Sequence, residues 1–391
     1  MNPLARHYGR FRVAERLLLT GHSHQAWPDV ALEGQVEAFE DAAREVDGKW
    51  GRALAKAERV REGFRALLGE PRGEIALGAS THELLLRLLS ALDLRRRPRL
   101  VSTDVEFHTL RRQLARLGEE GLEVEVVPAR PAETLAERLA GRVDDRTAAA
   151  LVSAVLFEDA RIVPSLGDLA AACARRGAEL VVDAYHALGA MPFPIAPAGL
   201  ASAWILGGGY KYLQLGEGNC FLRLPPHAYA LRPALTGWFA EFAELSAGAR
   251  RDLVPYGRGA DAFAGATYDP TSHYRAARVM DFFAEQGLTP ERLRASYRRQ
   301  VDLLAARFDA LSADDAAVTR DRETPLDRFG AFLALVSPHA AELRRALAER
   351  GVLADHRGRS LRLGPAPYLS DAQLETAVER LGEAVRVLPR T

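Results

Sequence analysis

Residues 179–213 read ELVVDAYHALGAMPFPIAPAGLASAWILGGGYKYL. The stretch holds two short apolar runs, 179–184 and 203–206. The first carries Asp183 at its end with His186 three residues on, and the second runs into Gly207, Gly208, Gly209, Tyr210 and Lys211. Short apolar runs bounded by turn residues read as buried strands of a parallel sheet. A carboxylate at the rim of such a strand is costly unless it meets a cation or several donors, so Asp183 calls for a partner. A lysine just past a strand end projects its amine from the sheet edge where open α/β folds bind ligands, and the glycines before it let the backbone approach a ligand closely. Taken singly, Asp183 is an ordinary loop or cap carboxylate and the glycines are an ordinary turn.

Outward from this stretch the same alternation runs from about residue 70 to 225. Further strands are expected at 74–77, 100–102, 122–127, 148–155 and 220–224, with sheet-covering helices at 81–92 and 166–176. Short apolar runs alternating with amphipathic stretches predict βα units, here a large, mostly parallel, seven-stranded sheet. Beyond about residue 270 the pattern lengthens into helices, one over 290–311 after Thr289 with Pro290 at its first position. A last segment carries apolar runs at 330–336 and 361–363 and helices at 340–350 and 371–387, the latter opened by the capping box of Ser370 and Gln373. The expected organisation is an α/β chain with a large domain at 51–285, a small C-terminal α+β domain at 286–391, and an N-terminal segment, 1–50, packed on the small domain.

The 391 residues allow a sizeable core without disulfides. The 52 Lys and Arg balance the 52 Asp and Glu, which argues against nucleic acid or an anionic membrane as the main partner. Within those 52 cations only Lys49, Lys56 and Lys211 are lysines. Arg cannot be deprotonated in a protein, whereas a desolvated Lys can attack a carbonyl or take a proton. Lys49 and Lys56 sit in polar, helix-like sequence and read as solvated surface; Lys211 does not. Two isolated cysteines, Cys173 and Cys220, read as small buried residues. No signal peptide or membrane-length apolar run is read, so a cytoplasmic setting is expected. The pair His22-x-His24 lacks a third ligand nearby and does not make a metal site.

A third element is Gly78-Ala79-Ser80-Thr81-His82-Glu83, which joins the first strand to an apolar helix. Hydroxyls and backbone donors at a helix N-terminus suit a phosphate, although Ser and Thr open most helices simply as caps. The three elements in this order resemble the fold type I pyridoxal-phosphate enzymes of the class V aminotransferase superfamily. Within it the chain is most similar to the kynureninases, through Gly209-Tyr210-Lys211-Tyr212-Leu213 with Gly216 and Gly218, Gly237-Trp238-Phe239, Asp355-x-Arg357 and Arg362-Leu363-Gly364-Pro365-Ala366-Pro367-Tyr368.

The resemblance implies pyridoxal 5′-phosphate as cofactor. Lys211 would hold it and later shuttle the substrate α-proton, Asp183 would pair with the pyridine nitrogen, and His186 would lie beside the ring. Ser80, Thr81 and Tyr210 would hold the phosphate, and Phe107 would stack on the ring. Trp238 and Thr267 would approach across a homodimer interface. Arg362 would clamp the α-carboxylate of an amino-acid substrate, with His24 and Asp269 near the substrate and Tyr210 or His108 giving acid–base help. The implied reaction is hydrolytic Cβ–Cγ cleavage, with an aminotransferase or a β-eliminating C–S lyase as alternatives and a non-catalytic relative as a third reading. Departures from the family pattern fall around the substrate: Phe107-His108-Thr109-Leu110 lacks the usual acid, Leu156-Phe157-Glu158-Asp159-Ala160 replaces Asn-Tyr-Arg-Thr-Gly, Asp269 replaces Asn, and Gly21-His22-Ser23-His24-Gln25 replaces Gly-Asn-Ser-Leu-Gly. Cys220 has no mobile-loop setting, which counts against a persulfide-forming desulfurase.

Overall fold

The computed structural model describes residues 2–247 and 253–388. Leu17–Leu18 forms a short strand, β1. Seven strands then build the large sheet: β2 (Glu74–Gly78), β3 (Arg99–Thr103), β4 (Glu123–Val127), β5 (Thr147–Ser153), β6 (Glu179–Asp183), β7 (Ala203–Gly208) and β8 (Cys220–Leu224). Their spatial order is β2-β8-β7-β6-β5-β3-β4. Every pairing is parallel except the two made by β8, which runs antiparallel between β2 and β7. The α/β class and the mostly parallel sheet of seven strands are therefore as the sequence reading has them.

The pleat sorts the apolar residues to the two faces of the sheet. Val152, Val182 and Ile205 join one buried cluster with Phe64 and Phe221. Leu151, Val181 and Trp204 join the other with Leu84, Leu88 and Phe263. Covered on both faces, β5 is buried along its whole length, which is why it reads as an unbroken apolar run. At the outer edge β4 alternates Glu123 and Glu125 with valines, and both glutamates pair with Arg99, a charged edge that resists pairing with a further strand. The expected strand 148–155 stops earlier, at Ser153. There its neighbour β6 ends, and Val155 turns away to bridge Ile162.

The C-terminal part forms a three-stranded antiparallel sheet. β9 (Leu333–Val336) pairs with β12 (Ser360–Leu363), which pairs with β11 (Asp355–Arg357). β10 (Val352–Leu353) instead takes β1 in parallel. The N-terminal segment is divided in its contacts: Asn2 Nδ2 donates to the Pro367 and Leu369 carbonyls at 2.7 and 2.9 Å, while the helix Val30–Glu45 lies on the helix Thr271–Glu285. That crossing is close enough that a Cβ at Gly34 would stand 2.6 Å from the Tyr274 carbonyl oxygen. The caps foreseen at Thr289 and Ser370 are both formed.

Candidate active site

The strand ends and loops carrying Ser80, Phe107, Ser153, Asp183 and Lys211 all open on the carboxyl edge of the parallel strands, where β8 begins with Cys220. They surround a cavity of ≈ 270 Å³ whose wall includes Ser80, Thr81, Phe107, Asp183, His186, Tyr210 and Lys211. Seven residues singled out from four separate stretches of sequence thus meet in one place.

Lys211 is buried, with Nζ 2.8 Å from His186 Nε2. Its amine lies 4.5 Å from the centre of the Tyr185 ring and 5.2 Å from that of Phe107. Burial pushes the amine down to about 7, with the charge of Arg362 acting in the same direction and Asp183 opposing it. Burial and the neighbouring amine hold His186 well below its ordinary value, so the ring is neutral, with Nε2 sharing a hydrogen bond with Lys211 Nζ. The other nitrogen, Nδ1, is buried and has no partner among the described residues.

Burial also raises the Asp183 carboxyl, against the Tyr185 N–H that it accepts at 2.8 Å and the Lys211 charge. That N–H is its one hydrogen bond among the described residues. The helix Thr81–Ala91 points its N-terminus at the same cavity. Ser80 caps it by accepting the Glu83 N–H at 3.3 Å, and Thr81 opens it. Burial pushes the Tyr210 hydroxyl up to about 12, keeping it a neutral donor.

The remaining residues lie around this cavity. Exposed His24 stacks on Tyr210 with ring centres 4.7 Å apart, its Nε2 3.6 Å from Glu217. Thr267 and Asp269 line an adjoining cavity of ≈ 590 Å³ that shares Ala79, Glu217 and Gly218 with the first. Trp238 is 46 % exposed and lines neither cavity; its Nε1 donates to Thr267 Oγ1 at 3.2 Å. Asp269 accepts the Thr271 N–H at 2.9 Å in the turn that opens a helix. Arg362 stands behind the wall: Nε and Nη2 fork onto Asp355 at 2.8 and 2.5 Å, and Nη1 donates to the carbonyl of Phe157, which faces the cavity.

Other residues of the site were given no individual role by the sequence reading, although Phe157 and His22 lie in segments it placed around the substrate. Tyr185 packs on Tyr210 and lines the cavity, Ser153 and Phe157 form the opposite wall, and buried His22 holds Asp355 Oδ1 at 2.7 Å. Burial pushes His22 down to about 4, so it is a neutral donor. Burial pushes the Asp355 carboxyl up, but His22 and the Arg362 fork outweigh it and hold it well below the usual carboxylate range. Signals for two of these were present: Ser153 is a polar end on an apolar strand, and Tyr185 stands between Asp183 and His186.

No protein-family model matches the chain. It is 23% identical over 333 residues to the uncharacterized aminotransferase YcbU of Bacillus subtilis (strain 168), covering 85% of each chain. It is 26% identical over 387 residues to a kynureninase of Burkholderia pseudomallei (strain K96243), covering 90% of this chain and 86% of that one. Among solved structures it superposes with a TM-score of 0.84 on a mutant of C-DES with glycine covalently linked to the PLP cofactor, at 15% identity over 97% of this chain and 99% of that one. These similarities together support membership of the class V aminotransferase superfamily.

The residues of this site fit pyridoxal 5′-phosphate. A buried amine of near-neutral basicity, a carboxylate with room for a cationic partner, a helix N-terminus with hydroxyls for a phosphate and an aromatic ring, Phe107, share one cavity.

Proposed function

We propose that the chain acts on an L-amino acid with pyridoxal phosphate held on Lys211, and that the reaction is hydrolytic cleavage of a Cβ–Cγ bond as in kynureninases. Water and a γ-keto amino acid give alanine and a carboxylic acid, anthranilate if the substrate is kynurenine. The observation that carries this reading is the buried Lys211 amine, pushed down to about 7, 2.8 Å from His186 Nε2 in a cavity that Asp183 also lines.

When bound, pyridoxal phosphate supplies an electron sink for the charge that develops at the substrate Cα. Asp183 would keep the pyridine nitrogen protonated, since a desolvated carboxylate with one N–H donor gains from a cationic partner. Ser80, Thr81 and Tyr210 would hold the phosphate, and Phe107 and His186 would lie beside the ring. Lys211, neutral just above pH 7, takes the α-proton because its basicity matches the working pH. Arg362 would receive the substrate carboxylate through Nη1, in exchange for the Phe157 carbonyl that Nη1 now holds, while Asp355, itself held by His22, fixes the plane of the guanidinium. His24 and Asp269 lie toward the substrate, and Tyr210 or His108 supplies a proton.

A homodimer with Trp238 and Thr267 near the partner's site belongs to the same proposal. It is supported by the exposed apolar side chains of Val36, Phe39, Val46, Trp238 and Phe242. So does a cytoplasmic setting, supported by the free thiols of Cys173 and Cys220. Among the described residues no helix is long and apolar enough to cross a membrane.

A second reading, a β-eliminating C–S lyase or an aminotransferase, is favoured by Leu110, which takes the place of the kynureninase acid and packs into the core. Burial also pushes the Cys220 thiol up to about 12, which does not suit a persulfide-forming nucleophile. Purified protein offered kynurenine, 3-hydroxykynurenine, cysteine, and an amino acid with a keto-acid acceptor separates the readings. Alanine with anthranilate supports the first; sulfide or a new keto acid supports the second.

A further inference from the structure

Behind Ser153 lies a carboxyl group that the proposed chemistry leaves unused. Glu106 sits between β3 and the helix His108–Glu119 and is 1% exposed. Its Oε1 accepts the Thr103 hydroxyl at 2.7 Å and the Ser153 N–H at 3.1 Å; its Oε2 lies 2.5 Å from Ser153 Oγ. Ser153 ends β5, faces the cavity, and stands in register with Asp183 on β6. Burial pushes the Glu106 carboxyl up to about 7, the hydrogen bonds from Ser153 and Thr103 oppose this, and Asp183, which faces it from β6, adds to it. On its own segment Asp104 is turned away to accept the Ala129 N–H at 2.8 Å, and His108 is exposed.

A hydroxyl has one hydrogen to give and two lone pairs to offer. While Glu106 is ionised, the Ser153 hydrogen is engaged on Oε2. Because Oε1 already accepts two donors, a proton added to Glu106 goes to Oε2 and points at Ser153 Oγ. That oxygen then accepts, and its own hydrogen is free to turn outward. We propose that Glu106 is a positioning residue whose protonation turns the Ser153 hydroxyl from the protein interior toward the cavity. The turn is a property of the chain alone; what the hydroxyl meets in the cavity rests on the pyridoxal-phosphate reading above.

Two comparisons test it. In cofactor-free protein, Ser153→Ala removes a donor to a buried carboxylate at pH 8 but not at pH 6, so its loss of Tm is larger at pH 8 by about 2 °C. In a Glu106→Gln background the loss is the same at both pH values. An equal loss in the wild-type background, or a difference that persists with Gln at this position, overturns the proposal. The first comparison leaves Glu106 intact and stands even where Glu106→Gln does not fold. With pyridoxal phosphate as the probe, Ser153→Ala weakens binding roughly 5-fold at pH 6 and little at pH 8; an equal factor at both overturns the outward turn. A wild-type protein that binds no pyridoxal phosphate refutes the cofactor reading and leaves the Tm comparison decisive for Glu106.

Discussion

Replacing Lys211 with methionine, which keeps the length and removes the amine, stabilises the cofactor-free protein near neutral pH. The Lys211 amine falls from 10.5 to about 7 on folding, chiefly through burial. At about 1.4 kcal/mol per pKa unit this is an unfavourable contribution on the order of 5 kcal/mol. The hydrogen bond to His186, worth about 1 kcal/mol, is lost with the amine, leaving a net gain of about 4 kcal/mol. An unfolding entropy of about 2.1 cal/mol/K per residue makes that about 5 °C in Tm for this chain. The gain depends on pH in a definite direction. Between about 7 and 10.5 the unfolded chain binds a proton that the folded protein does not, so wild-type stability rises with pH through that window. The advantage of Lys211→Met is therefore full below about pH 7 and gone near 10.5. Thermal unfolding of both proteins at several pH values between 6.5 and 10.5 measures it. A variant less stable than wild type at pH 7, or an advantage that does not shrink with rising pH, refutes the claim that Lys211 is a desolvated amine.

Asp183→Asn leaves a neutral group opposite the cofactor ring and lowers kcat by roughly 100-fold or more, with the fold intact by circular dichroism. Gly364→Ala places a Cβ 2.2 Å from His22 Nδ1 and 2.7 Å from its backbone nitrogen; it lowers stability by about 1–3 kcal/mol and raises KM by disturbing the Asp355–Arg362 pair, read by denaturant titration and steady-state kinetics. Arg223→Ala removes a buried fork that holds Glu70 and the carbonyls of Ala201 and Ala203; it lowers unfolding free energy by about 3 kcal/mol while cofactor absorbance per folded protein stays at the wild-type value.

The middle of the sheet was legible because β5, β6 and β7 are short apolar runs closed by Ser, Asp or Gly, a pattern that burial on both faces imposes. Asp183 and Lys211 were legible jointly: each sits at or just past the end of an apolar strand, and the two follow Ser80-Thr81 in an order that none of them signals alone. Glu106 belongs to no such order: it stands among polar neighbours in sequence, and only the fold shows Thr103 and Ser153 closing on it. Arg362 was legible as a residue but not as half of an ion pair, because Asp355 reaches it from the neighbouring strand and is itself held by His22 from the far N-terminus. The β10 strand was not readable either. Two residues have no periodicity, and their pairing with Leu17–Leu18 is set by the packing of the chain's first turns against its last.

The central claim is that one lysine of three carries the chemistry. Reduction of the yellow purified protein with borohydride, followed by mass mapping of its peptides, tests it directly. The account predicts a pyridoxyl-phosphate adduct on Lys211 and an unmodified Lys49 and Lys56, the latter ion-paired with Glu37 at 2.7 Å. An adduct on either of those two, or none on Lys211, contradicts it.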